Sequence, residues 1–370
     1  MTRHPLSIHN HCKLMPAVCL AIALSVASSC KEEPCYKYDV TELHLSTAPD
    51  EFLRGTLLPV GMEDVSAIYC IDSLLLVNSY DYIHYYTVYN INTFDSIMSF
   101  GRKGRAGYEF TEAPGNSTKQ VYQRNGDWMV PLMSGGVSKE VNLSKTIEKG
   151  TTVVERTSRG VPFYNGTAVF YGDDYEKLFM SFNGESSELN DQGRLPGIVY
   201  IDENDSVEEF SVYSRYPRNN TFARASDFYS GNIYKQPEGS IVAQPLYQMS
   251  YILFYDVEHR KYHAVHISGA RSFEDGIPED EEEQHSMAFQ DDAAFSEDYL
   301  FVHYWGDYAS MLETDPEYKG RILQLDWNGN LIKSYILHDW INRLAYDSST
   351  HILYGANFWS GEFYSFGEIQ

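Results

Sequence analysis

The sequence is short of cations: 28 Lys and Arg stand against 52 Asp and Glu, a formal net charge of −24. That balance argues against nucleic acid and anionic lipid headgroups as partners. Cysteine is scarce as well, with five in 370 residues. No CxxC, HExxH or Cys/His cluster is present, so neither a metal site nor a cofactor is expected. Beyond the N-terminal leader, no stretch has the length and 3.6-residue period of a buried helix, so an α/β fold would have to ignore most of the chain.

The one extended apolar run, LMPAVCLAIALSVA at 14–27, follows Arg3 and Lys13 and is too short to span a bilayer comfortably. It reads as a signal peptide. It ends in small residues directly before Cys30, and this ASSC resembles the lipobox of bacterial lipoproteins, with Ala27 where Leu is commonest. The resemblance implies lipidation of Cys30 and attachment to outer-membrane lipid. The following Lys31-Glu32-Glu33 is similar to the short acidic export signals of Bacteroides-type lipoproteins, which favours the cell surface over the periplasmic face. The expected organisation is a leader over 1–29, a lipidated tether over 30–35 and a single folded unit over 36–370. Of the five cysteines, Cys12 and Cys19 go with the leader and Cys30 to lipid, leaving Cys35 and Cys70. In an oxidising compartment they could pair, but the apolar strand pattern around Cys70 favours a buried free thiol.

A repeat dominates the rest. Six times a short β-run, a polar turn and a second β-run recur, the second runs beginning at Leu74, Trp128, Leu178, Ile241, Tyr299 and Ile352, at intervals of 54, 50, 63, 58 and 53 residues. Most units add a second hairpin, as in YILFYDVEHRKYHAVHI at 251–267 and RILQLDWNGNLIKSYIL at 321–337, where Asn328-Gly329 reads as a type I′ turn. Four strands per unit and six units make an all-β, six-bladed β-propeller of four-stranded antiparallel blades. The sixth unit stops one strand short, and YKYDVTELHLS at 36–46 precedes the first without a partner. An N-terminal strand from this region is expected to complete the last blade and close the ring. The second unit alternates poorly over 136–157, so five blades plus irregular structure remains the alternative.

The connector SFGRKGRAGYEF resembles that of the TolB-like and NHL-like six-bladed propeller lipoproteins of Bacteroides-type bacteria, through Gly101, Gly104, Gly107, Glu109 and Phe110. The family is largely uncharacterised, so the resemblance implies a fold and little chemistry. The glycines are not a phosphate loop. No frame supplies G-x-x-x-x-G-K-[ST] or G-x-G-x-x-G, and a strand rather than a helix follows. They read as tight turns carrying the chain from the rim of one blade to the centre of the next.

In such a ring the links between second and third strands, and those between blades, share one face. The long segments 101–118, 183–196, 214–230, 268–290 and 303–321 gather there, with aromatics just after the second strands. Although many of the 54 aromatic residues must pack between blades, Tyr82, Tyr247, Trp305 and Trp359, with Arg102 and Arg105, are the candidate ligand-binding residues. A glycan, a peptide or an envelope protein would suit them. The acidic run at 274–285 lacks the spacing of a calcium loop, and 326–338 has Leu331 where an EF-hand needs glycine. His263 and His266 point to opposite faces of one strand, which disfavours a shared ligand. The competing reading is a lyase or hydrolase at the channel mouth using a carboxylate with His303 or His84. With no catalytic spacing to recommend it, binding is favoured over catalysis.

Overall fold

The computed structural model describes residues 34–46, 51–80, 83–114, 117–134, 137–159, 166–182, 197–214, 229–275, 287–306 and 319–369. The leader and Cys30 lie outside the described residues. Six sheets form the blades of a propeller, each built on four antiparallel strands, in sequential order in the first five blades. The innermost strands are Val65–Ile71, Tyr122–Arg124, Gly166–Tyr171, Tyr234–Lys235, Phe289–Phe295 and Arg343–Asp347. The poorly alternating second unit is a full blade. Its last two strands, Val137–Asn142 and Val154–Arg159, are joined through a short helix, Leu143–Lys149, which the absence of a long helical period had not announced. Asn142 caps that helix by accepting the Lys145 N–H, and Gly150 ends it in the left-handed region.

The blades pack face to face, and this explains why the inner strands are apolar on both sides. In the first blade Ile68, Leu75 and Val77 pack against Ala345 and Tyr354 of the sixth, whereas Tyr69 and Leu76 face Val130 and Leu132 of the second. Alternate residues of one strand therefore belong to two different cores. The outer strands are half in water, as the exposure along Ser96–Arg102 shows.

The N-terminal segment closes the ring, but with other residues than 36–46. Thr56–Leu57 pairs antiparallel with Phe363–Glu368 and supplies the fourth strand of the sixth blade. Ahead of it the chain runs as a belt around the outer edges. Tyr36 bridges to Tyr213 beside the third blade, Asp39–Leu43 lies parallel to Lys261–Ile267 on the fourth, and Glu51–Leu53 lies parallel to Leu331–Leu337 on the fifth. The belt satisfies edge hydrogen-bonding groups that would otherwise be open to another chain.

A second correction concerns turns. Of Asn328-Gly329 only Gly329 has a positive φ, and the loop from Asp326 to Asn330 is organised by the Asp326 carboxylate, which accepts the N–H groups of Asn328 and Asn330. The type I′ pair is Asn125-Gly126, with φ of 54° and 82° at the tip of a two-residue hairpin. A type I′ turn needs both central residues left-handed, and the longer 326–330 loop does not.

Candidate functional site

The glycine-rich connector forms a closed loop. Gly104 donates to the Phe110 carbonyl, Phe110 to that of Arg102, and the Glu109 carboxylate accepts the Ala106 N–H. A Cβ at Gly104 would collide with that carboxylate. Lys139 ties down the carbonyls of Gly107 and Glu109, and Phe110 is buried between the first two blades. These hydrogen bonds hold the turn itself, as expected of a structural loop.

Beyond the connector the chain reaches the channel at Lys119, which has a left-handed backbone with φ of 52°. Its ammonium is ion-paired with Asp292 of the fifth blade and donates to the carbonyls of Ala293 and Leu344, both nearly inaccessible to water. Asp292 in turn accepts the Leu344 N–H at 2.7 Å. The group spans the second, fifth and sixth blades and divides the channel into two cavities. Burial raises the Asp292 pKa above the ordinary carboxylate value, with Lys119 and Arg343 acting in opposition.

On the loop-rich face lies a polar cavity of about 180 Å³, lined by Asn78, Asn232, Asp292, Arg343, Ser117 and Tyr80 among others. Arg343 donates to the Asn342 carbonyl and packs over the Phe358 ring at 5.6 Å. Phe358 also meets Tyr80 edge-on at 6.4 Å and Trp359 at 5.7 Å. Tyr80 is 52% and Trp359 74% exposed, so an accessible aromatic strip borders the cavity. On the other face a larger cavity, about 300 Å³, is ringed by first-to-second-strand turns.

Trp359 sits in the link between the second and third strands of the sixth blade, on the loop-rich face, and its backbone N–H is held by Asn357. Trp305 ends a second strand on the same face, but it is 5% exposed, donates its indole N–H to Gln290 and packs on Trp340 and His303. Tyr247 is half-buried, and its backbone links Ser230 to Ala288 and Phe289. Arg102 and Arg105 are exposed in the glycine connector, beside Tyr108. Tyr82 lies outside the described residues. The structure thus puts Trp359 against Phe358, one ring away from the cavity residues Tyr80 and Arg343, gives Trp305 the contacts of a core residue, and leaves the two arginines exposed on the connector.

Of the two histidines, His84 is half-buried opposite Arg102 across a strand pair. His303 is 1% exposed, donates Nε2–H to the Lys319 carbonyl at 2.9 Å, and has its Nδ1 buried without a hydrogen-bond partner. Burial pushes its pKa down to about 4, so the ring is neutral at pH 7. His263 and His266 do face apart: the first stacks on Phe254, the second on Tyr251 with Glu42 against its Nδ1. Among the described residues no group of three His, Cys, Asp or Glu could hold a metal ion. Most of the acidic run, from residue 276, is outside the described residues; Glu274 accepts the Cys35 N–H. Cys35 and Cys70 are not paired with each other; the buried Cys35 thiol lies against the Glu274 carboxylate.

The channel residues Lys119, Asp292 and Arg343 were not singled out in the sequence. A signal exists: each precedes the start of its unit's second strand by a similar interval, 9, 7 and 9 residues from Trp128, Tyr299 and Ile352. Aligning the units and asking for charge at this innermost position would have found them.

No family model matches the chain, and no curated protein does. Among solved structures it is similar to Raptor of Chaetomium thermophilum, at 11% identity and a TM-score of 0.48 over 86% of this chain and 29% of that one. It is also similar to the β-propeller domain of Cps50 (Swd1) of Myceliophteria thermophila, at 10% identity and 0.42 over 85% and 99%. A luciferin-regenerating enzyme matches at 9% identity and 0.47 over 85% and 96%. The chain spans less than a third of the Raptor chain it matches. Likenesses this distant carry no argument about activity; it is the strand pairing above that makes the chain a six-bladed β-propeller.

Proposed function

We propose that the chain is a lipid-anchored cell-envelope propeller, of the TolB-like and NHL-like lipoprotein kind, that holds a glycan, a peptide or a protein partner on its loop-rich face. The observation carrying the binding role is the strip Tyr80, Phe358 and Trp359 along the polar cavity of Asn78, Asn232 and Arg343. Flat rings with polar neighbours at the mouth of a rigid ring suit a sugar face or an extended peptide, which offers apolar surface and hydrogen-bonding groups together. Arg102 and Arg105 would extend that surface. The anchor rests on ASSC around Cys30, and export to the surface on the acidic residues after it.

The test is co-purification from gently solubilised outer membrane, comparing the parent with a Tyr80→Ala, Trp359→Ala variant and with Cys30→Ser. Loss of one protein or glycan with the aromatic variant, and loss of membrane association with Cys30→Ser, are the expected results. A partner retained by the aromatic variant would move the site elsewhere, and membrane association retained by Cys30→Ser would remove the lipid anchor.

A further inference from the structure

The 300 Å³ cavity on the other side of the Lys119 floor is on the face opposite the proposed loop-face site. Its lining includes Asp72, Glu238, Glu297 and Ser348, all from turns joining first to second strands, so it opens where the turns are short and well ordered. About 300 Å³ reaches the lower end of the range for small-molecule sites.

Its floor is already neutral. Lys119 is matched by Asp292 and by two backbone carbonyls, so the inner end does not call for an anion. The walls above it are apolar, with Ile68, Val121 and Leu344 interleaved with the rings of Tyr69, Trp128 and Tyr346. Asp72 fixes the Trp128 indole at the wall by accepting its N–H at 2.8 Å.

The rim, in contrast, is anionic. Asp72, Glu238 and Glu297 are exposed carboxylates from the first, fourth and fifth blades. Glu297 is fixed in place, accepting the Glu238 N–H and the Gln236 amide. The same fourth-blade turn already holds an ammonium: Lys235 Nζ donates to the carbonyls of Gln236, Pro237 and Gly239, and its positive charge, close enough to Glu297 to interact with it, offsets part of the rim's negative charge. Three carboxylates therefore stand over aromatic walls in a molecule of net charge −24, an arrangement that draws in cations and repels anions.

We propose that this cavity is a second binding site, for a small organic cation with a flat apolar body. Its ammonium sits at the rim among Asp72, Glu238 and Glu297, and its body lies against Trp128 and Tyr346 above the Lys119 floor. The ammonium keeps part of its hydration, which spares the cost of burying a charge, while the body leaves water. The site is independent of the loop-face reading and stands or falls alone.

Three probes of one shape and different charge test it: benzylammonium, benzyl alcohol and benzoate, titrated calorimetrically into the full propeller at pH 7 and low salt. Benzylammonium is expected to bind about tenfold more tightly than benzyl alcohol, with benzoate weakest. A Glu238→Gln, Glu297→Gln variant, altered only at exposed side chains, should lose that preference while keeping its melting temperature. Trp359→Ala, on the other face, should leave it intact. Equal binding of all three probes, binding of none, or a preference that survives the double substitution would overturn the proposal.

Discussion

Lys119 and Asp292 meet across the propeller axis as a buried ion pair, one from the approach to the second blade and the other from the inner strand of the fifth. Removing one charge strands the other away from water. Asp292→Ala and Lys119→Ala should each cost about 3–5 kcal/mol in urea unfolding. Lys119→Met with Asp292→Asn should recover most of that loss, because no charge is left buried and the side-chain amide oxygen at position 292 can still accept the Leu344 N–H. Single variants within about 1 kcal/mol of the parent would show that water reaches the pair.

How far the sequence revealed this molecule follows from where each signal is stored. Blade count was legible because much of the same local chemistry recurs from blade to blade. Asn90, Asp202 and Asp326 each open a third-to-fourth-strand turn by accepting backbone N–H groups two to four residues on, and Asn142 at the matching place caps the helix instead. The belt was not legible. Asp39–Leu43 is largely exposed and pairs with a strand more than two hundred residues away, and the closing strand Thr56–Leu57 is too short to carry a pattern. The channel was hidden for a related reason. Lys119, Asn232, Asp292 and Arg343 come from four blades and converge only when the ring closes.

His303 gives the fold an acid limb. Its ring is neutral when folded, with a pKa near 4, while in the unfolded chain it titrates at an ordinary value of about 6.5. Between those values the unfolded state binds more protons, so stability falls as pH drops from about 6.5 to about 4 and the loss is complete below that. The full loss attributable to this ring is about 3 kcal/mol. Thermal melts of the parent and His303→Gln over that range should differ in slope by this amount. Parallel curves would mean that the ring titrates in the fold as it does in the unfolded chain.

The two tryptophans proposed from sequence should respond in opposite ways. Trp305 is packed on Trp340 at 5.2 Å and on His303 at 4.7 Å, so Trp305→Ala opens a core cavity and should cost about 3–5 kcal/mol. Trp359 is mostly exposed, and Trp359→Ala should change stability by no more than about 0.5 kcal/mol. Denaturation of both variants decides whether a lost partner can be attributed to a lost contact. If Trp359→Ala is also destabilised, its indole is covered by segments that also build the loop-rich face.

Two Asn-Gly pairs, at 125–126 and 328–329, make the last comparison. Gly126 and Gly329 both have a φ of 82°, so alanine is strained at either position by about 1–2 kcal/mol. Their surroundings differ. Nothing lies near a Cβ at Gly126, at the tip of a hairpin, whereas a Cβ at Gly329 would stand 2.5 Å from Val265 Cγ2 and 3.0 Å from the Phe254 ring. Gly329 is where the turn of the fifth blade presses on the fourth, so Gly329→Ala must also push these blades apart, at a further cost of about 1–3 kcal/mol. Chemical denaturation should therefore rank Gly329→Ala clearly below Gly126→Ala. Equal costs would mean that the fourth and fifth blades yield at this contact, and that backbone conformation alone selects glycine at position 329.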